Sequence, residues 1–244
     1  FGVEKSDRPF GIITPFASYI YASQIFAASY SQIINEEYDT IVIISPIHKM
    51  AFPGIALSES DCFNNPLGDL YIDKEANEFL AKYNSEYFFY GEKYHLQEHS
   101  IEVQLPYIST IFQKRVKILP LIMGETNTKF TTLFSKGLFS MIQETKKRYL
   151  FVITTDLSHD LKYDQAVSMD NKLVEVLKTM NPDRFSEQLA LKQIEAFGGG
   201  GIIVMLRLAE MLGGKRVKIL KQINSGDITF EKYKVEGYLS AVIY

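Results

Sequence analysis

The sequence predicts a single α/β domain, a mostly parallel sheet in the middle with helices on both faces. Short apolar runs alternate with amphipathic ones along the whole chain, the pattern of strand and helix laid down in turn. The strongest runs, residues 40–45 and 149–155, are continuously apolar and rich in β-branched residues, as strands buried on both faces must be. The 244 residues show no composition shift that marks a linker and no internal repeat, so residues 1–244 read as one domain. A hydrophobic content of 46% is enough to build a substantial core.

The elements follow in order. Residues 11–14 read as a short strand. Residues 20–34 have helical spacing, with Ile20, Ile25, Ala28 and Ile33 near one face. The buried strand 40–45 comes next, then a short strand at 54–57. NNPLGDL, from Asn64, has turn chemistry. Residues 73–82 and 100–112 read as helices, with the aromatic, turn-like stretch YNSEYFFYGEKY between them. A strand at 116–123, a helix at 128–145 and the strand 149–155 continue the alternation. Helices are expected at 164–179 and 183–191. Gly198 to Gly201 is expected to break the chain, with a helix resuming over 202–212. Strands at 217–223 and 235–243 close the domain.

Composition narrows the function. Net charge is −3, and the longest basic run, residues 146–148, is too short to track a phosphate backbone, so nucleic acid is not an expected partner. No apolar stretch reaches the ~18 residues of a membrane span, and no signal-peptide pattern opens the chain. The single cysteine, Cys62, has no internal disulfide partner, which fits the cytoplasm. The chain opens on Phe1 rather than Met, as it does when a natural N-terminal segment is missing.

Three histidines sit in polar segments beside apolar runs, where α/β proteins place their chemistry. His48 follows the strand TIVIIS and Pro46, and a neutral imidazole there can ligate zinc, iron or copper. Asp156 and His159 follow the strand at 149–155. A helical turn there makes them face the same way, as acid–base partners or as ligands. In the same place Asp156 or Ser158 can instead cap a helix. HLQEH, from His95 to His99, matches H-x-x-E-H, an inverted zinc-protease pattern that needs one helix under both histidines. The turn-like stretch before it argues for a helix that starts at or after His99, which leaves His99 alone to face a pocket. Gly198 to Gly201 fits neither a Walker loop nor G-x-G-x-x-G and reads as a turn with close backbone packing.

Taken in order, several segments resemble the Memo family, whose members resemble class III extradiol dioxygenases of the LigB type in fold. TPFASYIYAS from Thr14 resembles P-H-A-G-Y, and SPIH ending at His48 resembles G-P-x-H. NPLGDL from Asn65 resembles T-P-L-G, and EHSIEVQLP from Glu98 fits E-H-S-x-E. TTDLSH ending at His159 resembles S-S-D-x-x-H, and FGGGGI from Phe197 resembles C-G-x-x-P-I. SGD at Ser225 and VEGY at Val235 match the family's closing strands, while its opening F-Y-P segment is absent.

The resemblance implies a pocket with His, His and Cys as metal ligands. Here those positions hold Phe16, His48 and Phe197, and Ser18 stands where the family motif has glycine. Phenylalanine has no lone pair to donate, so no cofactor is expected at this degenerate site. The expectation is a non-oxygenase binding or adaptor protein. Its cleft is made apolar by Phe16 and Phe197, bordered by Ser18 and Gly198, and anchored by His99, Asp156 and His159. The competing expectation is an oxygenase with a displaced site of His48, His99, Asp156 and His159, holding iron, copper or zinc. A third is a hydrolase using Asp156 and His159 without metal. Family resemblance implies a small molecule or peptide in the cleft, and AMMECR-type or radical-SAM proteins as partners.

Overall fold

The two most apolar runs lie side by side at the centre of an eight-stranded sheet. The structure is a computed structural model and describes residues 8–113, 115–214 and 216–244. The chain runs β1 (Gly11–Thr14), α1 (Tyr19–Tyr30), β2 (Thr40–Pro46), β3 (Ile55–Leu57), β4 (Cys62–Asn65), β5 (Gly68–Tyr71), α2 (Lys74–Tyr83), β6 (Phe88–Tyr90), α3 (Glu92–His95) and α4 (Leu105–Phe112). It continues β7 (Lys117–Met123), α5 (Thr128–Thr145), β8 (Tyr149–Thr154), α6 (Tyr163–Lys178), α7 (Pro182–Ala190), α8 (Gly199–Leu212), β9 (Val217–Asn224), α9 (Gly226–Thr229) and β10 (Gly237–Ile243). The strand order is β6-β3-β7-β2-β8-β1-β10-β9. β7, β2, β8 and β1 run parallel, β10 and β9 continue antiparallel at one edge, and β3 pairs antiparallel with β7.

Period-two alternation divides the core. Ile41 and Ile43 of β2 point to the face covered by α1 and α4, with Phe26, Tyr30, Ile108 and Phe112. Val42 and Ile44 point to the opposite face, under α2, α5, α6, α7 and α8, with Phe134, Leu138, Leu173 and Phe185. Every residue from Thr40 to Ser45 is buried, which is why that strand reads as one continuous apolar run. No helix of the described residues is long and apolar enough to cross a membrane.

Three details differ from the sequence expectation. The segment YNSEYFFYGEKY hides a strand, β6, and the single turn α3; Phe88 is buried, Tyr87 and Phe89 on either side are half-buried, and no period shows. The helix expected from Ser100 begins as a single 3₁₀ turn, Glu102–Gln104, before α4. The glycine run does not break the chain: α8 starts at Gly199. The glycines give close approach, since a Cβ on Gly198 would lie 2.1 Å from the Thr154 carbonyl oxygen and one on Gly200 2.6 Å from Thr126 Cγ2. NNPLGDL makes the expected turn between β4 and β5. There the Leu67 N–H donates to Asn65 Oδ1 at 3.0 Å, and Gly68 takes φ +120°.

The two ends of the sheet differ in kind. At the amino end of β2, buried Asp73 caps α2, accepts from Thr40 Oγ1 and pairs with Lys147 at 2.8 Å. That closed ion pair is a structural device. The carboxyl end is open, and the candidate site lies there.

Candidate functional site

Because β1, β2 and β8 are parallel neighbours, their carboxyl ends deliver three loops to one place. Phe16 comes from the first, His48 from the second and Asp156 from the third. Together with residues of α1, the 98–104 turns and the loops before α8 and β10, they line a cleft of about 700 Å³.

Phe16 is buried, and its ring meets His48 edge-on, with centroids 4.7 Å apart and planes at 85°. Phe197 stacks on His48 at 4.3 Å and 15°, and meets Phe16 at 5.7 Å and 71°. Both phenyl rings therefore close on the one imidazole. Phe197 is fixed by its backbone, whose N–H donates to the Asp156 carbonyl oxygen at 3.0 Å. The next residue, Gly198, donates its N–H to Thr155 Oγ1 at 3.0 Å. Ser18 stands just before α1, where its carbonyl accepts from the Tyr21 and Ala22 N–H groups, and it borders the cleft.

Glu98 is the residue that organises His48, and no sequence argument assigned it that part. Its side chain is fully buried. One oxygen accepts the His48 backbone N–H at 3.0 Å, and both lie 2.8 Å from His48 Nδ1. The other oxygen accepts the N–H of His99 at 3.0 Å, the N–H of Ser100 at 3.1 Å and the Ser100 hydroxyl at 2.7 Å. Burial opposes its charge, but the hydrogen bonds from His48 and Ser100 outweigh burial and hold the carboxyl at about 2. A carboxylate only accepts, so His48 Nδ1 bears the hydrogen of this bond and Nε2 is the ring nitrogen left outside it. The signal for Glu98 was its place in E-H-S-x-E, a carboxylate directly before a turn with free N–H groups.

Asp156 behaves in the opposite way. Its carboxyl is pushed up to about 8, first by burial and further by the negative charge of Glu236, against one hydrogen bond from the Phe16 N–H at 3.2 Å. It holds its proton at neutral pH.

The expected coupling of Asp156 to His159 is not formed. β8 ends at Thr154 and the chain stays irregular until α6, so no helical turn aligns the two side chains. His159 is exposed, and its carboxylate partner is Glu236, 3.2 Å from Nδ1. Both residues still line the cleft, but the hydrolase dyad is not assembled. Neither Asp156 nor Ser158 caps a helix, since α6 begins only at Tyr163. The loop is held instead by Asp170 of α6, which accepts the Ser158 N–H at 3.1 Å, and by paired backbone bonds of Leu157 and Ser158 with Gly237. Gly237 is required there: a Cβ would lie 2.0 Å from Asp170 Oδ2.

HLQEH does not form the single helix that the inverted zinc-protease pattern needs, as the turn-like stretch before it argues. α3 ends at His95, which is buried with Nε2 3.1 Å from the Ala56 carbonyl, while Glu98 turns back on the following turn. The displaced set of four is also not assembled as expected. Among the described residues, the ligand atoms that lie within 4.8 Å of one another belong to His48, Glu98 and His99, without Asp156 or His159.

Fold and cleft together define an α/β protein, built on one large sheet with the β4–β5 hairpin beside it, whose candidate site lies at the carboxyl ends of the central parallel strands. Comparison with known proteins makes that class specific. The family model described as Memo-like protein matches residues 1–242. A MEMO1 family protein of Desulfurococcus amylolyticus is 30% identical over 235 residues, 96% of this chain and 82% of the relative. MEMO1 family protein TV1383 of Thermoplasma volcanium is 28% identical over 239 residues, covering 98% and 87%. A MEMO1 family protein of Methanosarcina mazei is 30% identical over 240 residues, again 98% and 87%. This chain belongs to the Memo family.

Proposed function

We propose that this Memo-family protein is a binding or adaptor protein that performs no oxygenase chemistry and uses the cleft to hold a small molecule or a peptide side chain. One observation carries the reading: Phe16 and Phe197, at positions where the family resemblance implies metal ligands, both close on His48. A transition-metal site needs about three protein donors, and a phenyl ring supplies none. Both rings pack directly on the remaining imidazole, Phe197 face to face and Phe16 edge-on. The inherited three-donor site therefore does not fit these residues, and His48 is the one donor left of it. Polar anchoring then falls to His99, Asp156 and His159. The lone thiol of Cys62, which is free, accords with a cytoplasmic location.

The test is metal analysis of protein purified without chelator. The expected result is no stoichiometric iron, copper or zinc in the native chain, and a gain of metal in the double variant F16H/F197C. Stoichiometric metal in the native chain that disappears in His48→Ala overturns the proposal.

A second reading has one observation in its favour. His48, Glu98 and His99 supply two imidazoles and a carboxylate close together, the donor set of many non-haem iron sites. On that reading the protein is a metal-dependent redox enzyme with a displaced site. Native metal that is lost in Glu98→Gln and in His99→Ala would select it.

A further inference from the structure

Two proton-handling groups that binding alone does not use face the same cleft. The first is His48. Glu98 accepts from its backbone N–H at 3.0 Å and lies 2.8 Å from its Nδ1, and the Phe16 and Phe197 rings pack against it. Such contacts fix the direction of an imidazole. A histidine that only holds the fold is itself buried, as His95 is against the Ala56 carbonyl. His48 instead lines the cleft with 24% of its side chain exposed, while the Glu98 side chain behind it has 0%. With Nδ1 turned to that carboxylate, Nε2 is the ring nitrogen left for the cleft. The carboxylate raises the basicity of that nitrogen, as a general base requires. The second group is Asp156, at the end of the neighbouring strand. Phe16 links the two, since its ring meets His48 and its N–H donates to Asp156 Oδ1. Burial keeps the Asp156 carboxyl protonated. A neutral carboxylic acid donates a hydrogen bond, which a carboxylate cannot. A base and an acid in one apolar cleft move a proton within a bound molecule. Enolisation is the reaction that needs those two groups and no co-reactant.

We propose that the cleft catalyses the enolisation of a neutral carbonyl compound with an apolar body, His48 Nε2 taking the α-proton while the Asp156 carboxyl hydrogen-bonds the carbonyl oxygen. The inference rests on the reading of the cleft as a small-molecule pocket and adds a reaction to it. The α C–H bond breaks, and its electron pair becomes the C=C bond of the enol. The carbonyl π pair moves to oxygen, which takes the Asp156 proton. His48 is left as imidazolium and Asp156 as carboxylate, and proton exchange with solvent restores both. Nothing is oxidised or reduced, and no group leaves. Walls from Phe16, Val103, Leu157 and Phe197 select the apolar body, and with no lysine or arginine in its described lining the cleft offers an anion no partner. Glu98 is a positioning residue, since it meets the imidazole and not the substrate.

The whole chain is incubated with phenylacetone in D₂O, and proton NMR follows the loss of the benzylic CH₂ signal while the ring signals of His48 and His99 report binding. The expected exchange is on the order of 100-fold faster than with free imidazole at the protein's concentration. His48→Ala abolishes it, and added imidazole restores part of it, which a merely structural role would not allow. Asp156→Leu cannot donate and slows exchange on the order of 100-fold, while Asp156→Asn keeps a donor and slows it less. Glu98→Gln lowers kcat by about tenfold and leaves KM unchanged. Exchange no faster than with free imidazole, when the histidine signals shift, overturns the inference and leaves the binding pocket standing. So does a native rate in His48→Ala protein shown folded by circular dichroism or, where that variant does not fold, in Asp156→Leu. Exchange that EDTA abolishes assigns the chemistry to a metal and overturns the inference. Absence of both exchange and signal shifts overturns both readings.

Discussion

Glu98 and Asp156 are both buried beside the cleft, and their charge states are opposite because their donors differ. Glu98 collects hydrogen bonds from His48, His99 and Ser100; Asp156 has the Phe16 N–H alone. The consequences for stability run in opposite directions with pH. Glu98 is held below its unfolded value, so its contribution is present above about pH 4.5 and is lost as pH falls toward about 2. Glu98→Gln should therefore cost about 2–4 kcal/mol in urea unfolding at neutral pH, and the difference from the native chain should shrink in acid. Asp156 is raised, so its contribution is full below about pH 4 and is lost as pH rises to about 8. Asp156→Asn should gain stability over the native chain across that window, on the order of 5 kcal/mol by pH 8. A flat difference between pH 4 and 8 would contradict that account. At this scale the sequence was partly legible. His48 and Asp156 were visible because each follows an apolar strand. Glu98 and Glu236 were not, because their importance lies in which imidazole they meet across the fold.

Among the elements, the instructive junction is where α6, the loop after β8 and the start of β10 meet. Asp170 reaches from the helix to the Ser158 N–H, and β10 can pass beneath it because Gly237 has no side chain. Gly237→Ala should destabilise the protein by about 2–3 kcal/mol through overpacking. Combined with Asp170→Ala, the same change should cost markedly less than the sum of the single variants, because the oxygen that the methyl group strikes is gone. Chemical denaturation of the four proteins in the cycle measures this. The glycine of VEGY is thus explained by a carboxylate far away in sequence. Gly198 to Gly201 suggested a chain break but serve close packing: Gly198 lies against Thr154 and Thr155, Gly200 against Thr126 and Met123, and Gly201 against Ile153. Long, periodic or continuously buried elements were readable from the sequence. β6 and α3 were not, since elements of three and four residues show no period and these two, unlike β1 and β3, are not buried throughout.

For the molecule as a whole, the parallel sheet separates stability from function. The amino ends of the strands are closed by Asp73, Thr40 and Lys147, and the carboxyl ends open into the cleft. In Asp73 burial opposes the charge, but Lys147, Thr40 and the Ala76 N–H outweigh it and hold the carboxyl below its usual range. Lys147→Ala strands that carboxylate and should cost about 3 kcal/mol in unfolding experiments, while the affinity of the cleft for its ligands stays unchanged. The fold class followed from the sequence because alternation and continuous burial are properties of the whole chain. The cleft's chemistry did not, because it arises from loops that only the strand order brings together.

Phe197 touches more than His48. Its other side borders a second hollow of about 570 Å³, between the start of α5 and the start of α8. Among the described residues Phe197 alone lines both hollows. Phe197→Ala should therefore open the proposed binding cleft toward the second hollow and shift its preference from compact to extended compounds, which a binding series of increasing length measures.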